Sequence, residues 1–493
     1  MAGIGFELKK LFSKKGILQS AKAFGYASVI CAGPMVLGVL LLLGIMLLCT
    51  IADVYKETRE LLICMITYTL LASLLTSSFF SMVVTRYTAD MLYEDKKEAV
   101  LPSFWGSCCL MMGVGSVIYG LFLLISGASF LQQFLCFTLF NELIVTWNAM
   151  SYLSAIKDYK GIFLSFLSAV VLTFIVGAIL LLFRMPPIEA MLIAINVGYG
   201  VMLIWDVTLL HRYFPNTDLS PFTFLKWIDE FLPLAFSGLF VNIGMFSHLV
   251  IMWFSDIGVR VHGLFFGAPF HDVPALLAFM TTLVTTVNFV VSVEVNFYPK
   301  YRTHYSLYND KGTIGDIKQA EGEMLDTLKT EIFYTALKQL LTTAMCIAVG
   351  GYVLDVLPLG FNEIMRGYFR TLCVAYGLYA IGNMIMLMLL YFTDYRGAFL
   401  VTGLFAGTTV LFTLISLLCP SVYYGFGFLF ASMIFLLAAI IRLDYFTKKL
   451  PYYILSVQPL VAEDRSGRFT RLKEFLDNSV QLSKDVKKNE KNN

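Results

Sequence analysis

Three ionisable residues stand inside long apolar runs, where charge is expensive: Glu142, Glu294 and Lys338. A carboxylate or an ammonium in such a place holds an ion, passes a proton or grips a polar substrate, and is retained only where the bundle interior or a wet cavity accommodates it. The run around Glu142 also carries Asn141 and Asn148, so one stripe of it reads as polar. Such a stripe faces a cavity or a neighbouring helix, and an interhelical hydrogen bond that only holds the bundle together fits it equally well. Asn242, His248 and Asn288 are the corresponding candidates further along the chain. A lone His in an apolar run packs or hydrogen-bonds more often than it relays protons, although its ordinary pKa lets it switch near neutrality. Asp206 and Arg86 lie close to run ends, where a snorkelling or structural role is the better reading.

These residues must be positioned by membrane helices. The 493-residue chain is 58% hydrophobic and 14% charged, whereas soluble domains have about 45–50% apolar and roughly 25% charged residues. Apolar runs of about 20 residues, enough to cross hydrocarbon as helices, occur twelve times, near 24–51, 61–84, 101–125, 130–155, 161–183, 188–210, 229–255, 274–296, 331–355, 368–392, 397–418 and 421–442. The expected fold class is all-α integral membrane, with twelve transmembrane helices in two pseudo-symmetric six-helix lobes. Residues 1–23 form a basic amphipathic helix, 24–210 the N-terminal lobe, 211–228 a cytoplasmic linker, 229–442 the C-terminal lobe and 443–493 a cytoplasmic tail. No cleavable signal peptide is expected.

Basic residues orient the bundle, because cytoplasmic loops retain Lys and Arg. With the N-terminus inside, the outer loops hold only Lys56, Arg59, Arg184, Arg260, Arg366 and Arg370, Lys338 lies within a span, and the rest of the 36 Lys and Arg fall inside. Both ends are therefore expected in the cytoplasm. Asp158, Tyr159, Lys160, Gly161, Ile162, Phe163, Leu164 recurs as Asp394, Tyr395, Arg396, Gly397, Ala398, Phe399, Leu400 at the same inner loop of each lobe. The string marks a tandem duplication with parallel halves, and the interface of such repeats is the natural place for a central cavity. It reads as a structural turn, with Gly161 and Gly397 permitting a bend. Gly33 with Pro34, and Pro233, are expected to kink the first helix of each half. Thr313 and Asp316 read as a capping box that opens an amphipathic helix on the inner surface, and Leu472, Phe475 and Leu476 give the tail a similar pattern.

Several chemistries are disfavoured. No Walker A sequence is present. His262, His271 and Asp272 in the longest outer loop match no strong metal spacing and read as loop surface, so neither a metal site nor a cofactor is expected. The nine cysteines read as apolar packing residues. Trp147 and Trp253 offer flat faces suited to sugar rings, although most aromatics must be core or interfacial belt.

The opening Met1, Ala2, Gly3, Ile4, Gly5, Phe6, Glu7, Leu8, followed by basic residues and twelve spans, resembles the PelG family of Pel exopolysaccharide transporters in the MOP flippase superfamily. Ala268, Pro269, Asp272 and Pro274, then Glu294, Phe297, Tyr298 and Tyr301, extend the resemblance over most of residues 1–455. It implies a MOP-type fold in a bacterial inner membrane, exporting a hexosamine-rich polymer through a cavity between two helical lobes, without catalysis. It implies as partners a cytoplasmic glycosyltransferase like PelF and membrane proteins like PelD and PelE; lipid surrounds the chain and nucleic acid has no place. The alternatives are a lipid-linked oligosaccharide flippase, a cation-coupled drug exporter or, in a different class, a membrane scaffold for a glycosyltransferase. The residues expected to line the cavity are Asn141, Glu142, Asn148, Asn242, His248, Asn288, Glu294 and Lys338.

Overall fold

In hydrocarbon no water satisfies a backbone amide, so apolar runs of this length close each amide onto their own helix. Such helices dominate the computed structural model, which describes residues 17–156, 158–309, 312–356, 362–456 and 467–479. In chain order they are α1 (Ile17–Ile51), α2 (Lys56–Tyr93), α3 (Val100–Ile125), α4 (Phe130–Ala155), α5 (Tyr159–Leu182), α6 (Pro187–Tyr213), α7 (Leu225–Glu230) and α8 (Leu232–Trp253). After a two-stranded hairpin, β1 (Val259–His262) and β2 (Phe265–Gly267), come α9 (Pro269–Phe279), α10 (Leu283–Val291), α11 (Tyr298–Asn309), α12 (Ile314–Val356), α13 (Glu363–Tyr391), α14 (Tyr395–Ser416), α15 (Phe426–Thr447) and α16 (Leu450–Ser456). Among the described residues eleven helical segments are long and apolar enough to cross a membrane. The chain is a multi-pass membrane protein. Helix α4 occupies the expected fourth span but is too polar to be counted with them, carrying Gln132, Gln133, Asn141, Glu142 and Asn148.

The chain divides into two compact units. One comprises Leu42–Asn242, Val261–Phe265 and Ile454–Asn493; the other comprises Met1–Leu41, Ile243–Arg260 and Phe266–Tyr453. Two of the divisions fall inside long helices, so α1 and α8 both begin in one unit and end in the other. In the N-terminal unit α4 packs against α2, α3 and α6, and α5 lies along α6. In the C-terminal unit α13 is the central helix, touching α9, α12, α14 and α15, with Leu372, Cys373, Ala375 and Leu389 fully buried.

Three expectations change. The Thr313 and Asp316 box forms, with the Asp316 amide 3.2 Å from the Thr313 hydroxyl and the Thr313 amide 3.0 Å from the Asp316 carboxylate. The helix it opens is no separate surface helix, because α12 runs on for 43 residues into the ninth span. Pro233 sits in the first turn of α8, where a missing N–H costs nothing, and α1 is assigned as one unbroken helix past Pro34. The interruption lies instead in the eighth span, where a 3-10 turn (Met280–Thr282) and a π turn (Ser292–Phe297) separate α9, α10 and α11. The expected surface helix at residues 1–23 falls mostly outside the described residues; its end, from Ile17, is already part of α1.

The repeated string folds alike in both copies. Asp158 and Asp394 are helix N-caps, each accepting the amide of the glycine three residues on at 3.0 Å. The glycines are helical, so they provide room rather than a bend. A Cβ on Gly161 would lie 2.7 Å from Asp158 Oδ2, and one on Gly397 would overlap both Asp394 and Arg442. The other carboxylate contacts reach the last long helix of each lobe: the Tyr213 hydroxyl donates to Asp158 at 3.1 Å, and Arg442 holds Asp394 by two bonds of 2.6 and 2.8 Å.

Candidate functional site

Residues at i, i+4 and i+7 share a helix face, whereas a neighbour in sequence is turned away from them. Helix α4 uses this geometry to separate its polar groups. Asn148 donates to Ser107 Oγ at 2.7 Å and to Cys108 Sγ at 3.1 Å, the Tyr152 hydroxyl lies 2.9 Å from Ser103 Oγ, and Asn141 accepts from Ser116 at 2.9 Å. All these partners are on α3. Trp147 Nε1 donates to Ser73 of α2 at 3.1 Å, so its polar edge is engaged in the bundle. The expected polar stripe is therefore mostly an interhelical seam.

Glu142 is the exception. It points toward α6, where a methyl on Gly200 would lie 3.5 Å from Oε1, and its buried Oε2 has no hydrogen-bond partner. Asp206 on α6 is the group sequence reasoning undervalued. It is fully buried, beside Ser165 and near Asp158, and neither oxygen has a hydrogen bond of good geometry. The Ser165 hydroxyl instead donates to the Ile162 carbonyl at 3.0 Å. Its burial among neighbouring helices leaves no path for snorkelling; the signal in the sequence was an acid following the apolar run Val201–Trp205 with no basic neighbour within a turn. Two under-satisfied carboxylates thus lie in the N-terminal unit.

The C-terminal unit holds a polar seam between the interrupted eighth span and α12. The 3-10 turn frees the Thr281 carbonyl, which accepts from Gln339 Nε2 at 3.1 Å; the Gln339 amide also donates to Thr343 at 3.2 Å and accepts from the Thr285 hydroxyl at 2.7 Å. Asn288 donates to Thr335 and, at 3.3 Å, to Ser292, and its carbonyl accepts from Lys338. Lys338 keeps its stem on the exposed side of α12 while its ammonium reaches this seam. Asn242 bonds only back to the Gly238 carbonyl in its own helix, at 3.0 Å. Glu294 is in the π turn, and its side chain lies outside the described residues.

His248 meets groups the sequence left apart. Its Nε2 is 3.2 Å from the Tyr376 hydroxyl, its ring stacks on Phe428 with centroids 4.1 Å apart, and it meets His271 edge-on at 5.3 Å. His271, expected on a loop surface, is fully buried at the start of α9; neither ring nitrogen makes a hydrogen bond, and Nδ1 lies 3.8 Å from the Asp272 carboxylate. The neighbouring Asp272 is an N-terminal anchor, accepting the Trp253 indole at 2.9 Å and the Ala268 amide at 3.1 Å. Trp253 is accordingly buried and offers no face to a sugar. Exposed His262 contacts the Gly127 carbonyl at 3.1 Å. Among the described residues no group of three or more His, Cys, Asp or Glu is placed to hold a metal.

This fold, with its buried polar groups in apolar helices, is that of the MOP superfamily transporters. A multidrug resistance MATE transporter of that superfamily, solved inward-facing, superposes with a TM-score of 0.52 at 14% identity, covering 88% of this chain and 100% of its own. A MOP superfamily transporter from Pyrococcus furiosus gives 0.52 at 16%, over 86% and 96% of the two chains, and a MATE protein crystallised with MaD5 gives 0.54 at 15%, over 87% and 96%. No curated protein matches the sequence. Residues 1–455 match the family described as "PelG: Putative exopolysaccharide Exporter (EPS-E)", and the chain belongs to that family.

Proposed function

We propose that the protein exports a hexosamine-rich exopolysaccharide across a bacterial inner membrane, with both termini cytoplasmic and a cytoplasmic glycosyltransferase like PelF feeding it the growing chain. Membrane proteins like PelD and PelE complete the assembly. The observation that carries this reading is the match of residues 1–455 to an exopolysaccharide exporter family. The MATE-like neighbours support the transporter fold and, at their low identity, carry nothing about cargo.

Glu142 and the Asn288 seam are the groups assigned to the translocating polymer. A hexosamine chain presents hydroxyl, acetamido and amino groups; a carboxylate without a fixed partner suits the amines, and a Thr, Asn and Gln ladder suits the hydroxyls. Asn141 and Asn148 are bonded to α3 and are assigned to packing in this reading. The test is Glu142→Gln in a strain lacking its own copy, with secreted hexosamine normalised to the amount of transporter in the membrane. Secretion is expected to fall at least about tenfold, the scale of one lost charge-assisted contact. Normal secretion at normal protein level would remove Glu142 from the route, and a wild-type chain that restores no secretion would refute the export reading itself.

A further inference from the structure

The segment 467–479 lies beyond the family match, and its contacts are made with the chain's own N-terminal unit. Gly467 precedes a helix of residues 468–479. The first amides of any helix lack intrahelical acceptors, and that end carries partial positive charge. Here Asp229 supplies the cap from a distant part of the chain: its carboxylate accepts the Phe469 amide at 3.2 Å, the Thr470 amide at 2.7 Å and the Thr470 hydroxyl at 2.8 Å. A glycine is required at 467, because a Cβ there would overlap the Asp229 carboxyl. Two turns on, Asp477 accepts the Ser220 hydroxyl at 2.7 Å. Phe469 and Leu476 pack on the cluster built from Tyr87, Phe222, Phe224, Leu225 and Ile228, and the Phe469 ring lies 6.4 Å from that of Phe79 in α2. Phe79 in turn meets Phe236 of α8 edge-on at 5.4 Å.

What this helix grips matters more than how tightly. Asp229 stands one turn before α8, and α8 belongs to the N-terminal unit through Asn242 and to the C-terminal unit from Ile243. Holding the start of α8 therefore holds a helix that both units share. We infer that the tail helix is an autoinhibitory latch: docked, it fastens residues 220–230 and α2 to the start of α8 and keeps the transporter at rest; undocked, it frees α8 for the transport cycle. The inference rests on the export reading above, and its test separates the two.

Ser220→Cys paired with Asp477→Cys, bridged in cells by a short bis-maleimide, locks the latch and reports docking by the yield of bridged protein. Gly467→Leu releases it without touching the lobes, and Asp229→Asn is a milder second release should the leucine variant fail to reach the membrane. Bridging is expected to lower secretion per transporter at least about fivefold relative to the treated single-cysteine variants. Release is expected to cut the bridge yield about tenfold and raise secretion about two- to threefold. Bridged protein that secretes normally, or release that leaves secretion unchanged or lowers it, overturns the latch. A chain whose unmodified form secretes nothing refutes export instead, and the bridge yield still reports docking in that case.

Discussion

Replacing Gly397 by Ala is expected to destabilise the C-terminal unit by about 2–3 kcal/mol, while Gly161→Ala costs about 1 kcal/mol or less. The two glycines are equivalent in the repeat, so the difference comes from what each Asp also holds. Alanine alone favours a helix by about 0.5–1 kcal/mol over glycine. Against that, its methyl at 397 overlaps both Asp394 and Arg442, so cap and ion pair must give way together. Loss of the cap costs about 1 kcal/mol. Loss of a buried pair costs about 3–5 kcal/mol, here discounted to about 2–3 because the Arg442 side chain is 25% exposed while that of Asp394 is 5% exposed. At Gly161 the new methyl meets Asp158 and the flexible end of Leu209, and the partner on Asp158 is an exposed Tyr213 hydroxyl. Thermal unfolding in detergent, followed by the loss of monodisperse protein, is expected to drop by roughly 5–10 °C for Gly397→Ala. In an Asp394→Ala background the same change should cost nothing more, since both remove one unit. Equal effects at the two glycines, or additivity with Asp394→Ala, would refute the reasoning.

Three further expectations follow from buried polar groups and topology. His271→Phe replaces two ring nitrogens that make no hydrogen bond by a ring that still packs on His248 and Tyr368, and should stabilise by about 1–2 kcal/mol in the same thermal assay; a fall would mean that the Nδ1 contact with Asp272 at 3.8 Å outweighs that gain. Asn148→Leu strips Ser107 and the Phe104 carbonyl of a donor at a fully packed site and should cost about 2 kcal/mol, whereas a neutral result would make the α3–α4 seam incidental. Single cysteines at Lys96 and Lys226 should resist a membrane-impermeant maleimide in whole cells while one at Arg184 reacts, and the reverse pattern would invert the proposed orientation.

Most of the long helices were legible because hydrocarbon imposes one rule, length and apolarity; α4 escaped that rule by its polarity, the eighth span is broken, and α12 begins at Ile314, well before the expected run. The repeat itself was legible, but its mechanics were hidden: Gly161 and Gly397 look like turn residues in sequence, and only the approach of Asp394 to Arg442 shows them as clearance. The polar residues of α4 could be counted but not sorted, since Asn141 and Glu142 are adjacent in sequence and point to different neighbours. Asp206 looked like a solvent-reaching residue because burial by neighbouring helices is not written in a span's own sequence. His248 and His271 meet only through the way α8, α9 and α13 pack, which no local pattern encodes. Pro34 and Pro233 drew attention as breakers, yet the interrupted span contains Pro274 and Thr-rich segments, with the Thr281 carbonyl accepting a hydrogen bond from Gln339 Nε2.

Helix α4 has a consequence for how the protein is made. A segment bearing two glutamines, two asparagines and a glutamate leaves the translocation machinery poorly on its own, because each polar group must partition into lipid before a companion arrives. Asn148 donates to Ser107 and Asn141 accepts from Ser116, both on the helix synthesised just before it, across the short turn at residues 126–129. Insertion of α3 and α4 as a pre-paired hairpin follows: α3 waits at the exit for its successor, and lengthening that turn should strand α4 outside the bilayer even where the α3–α4 contacts of the finished protein are kept.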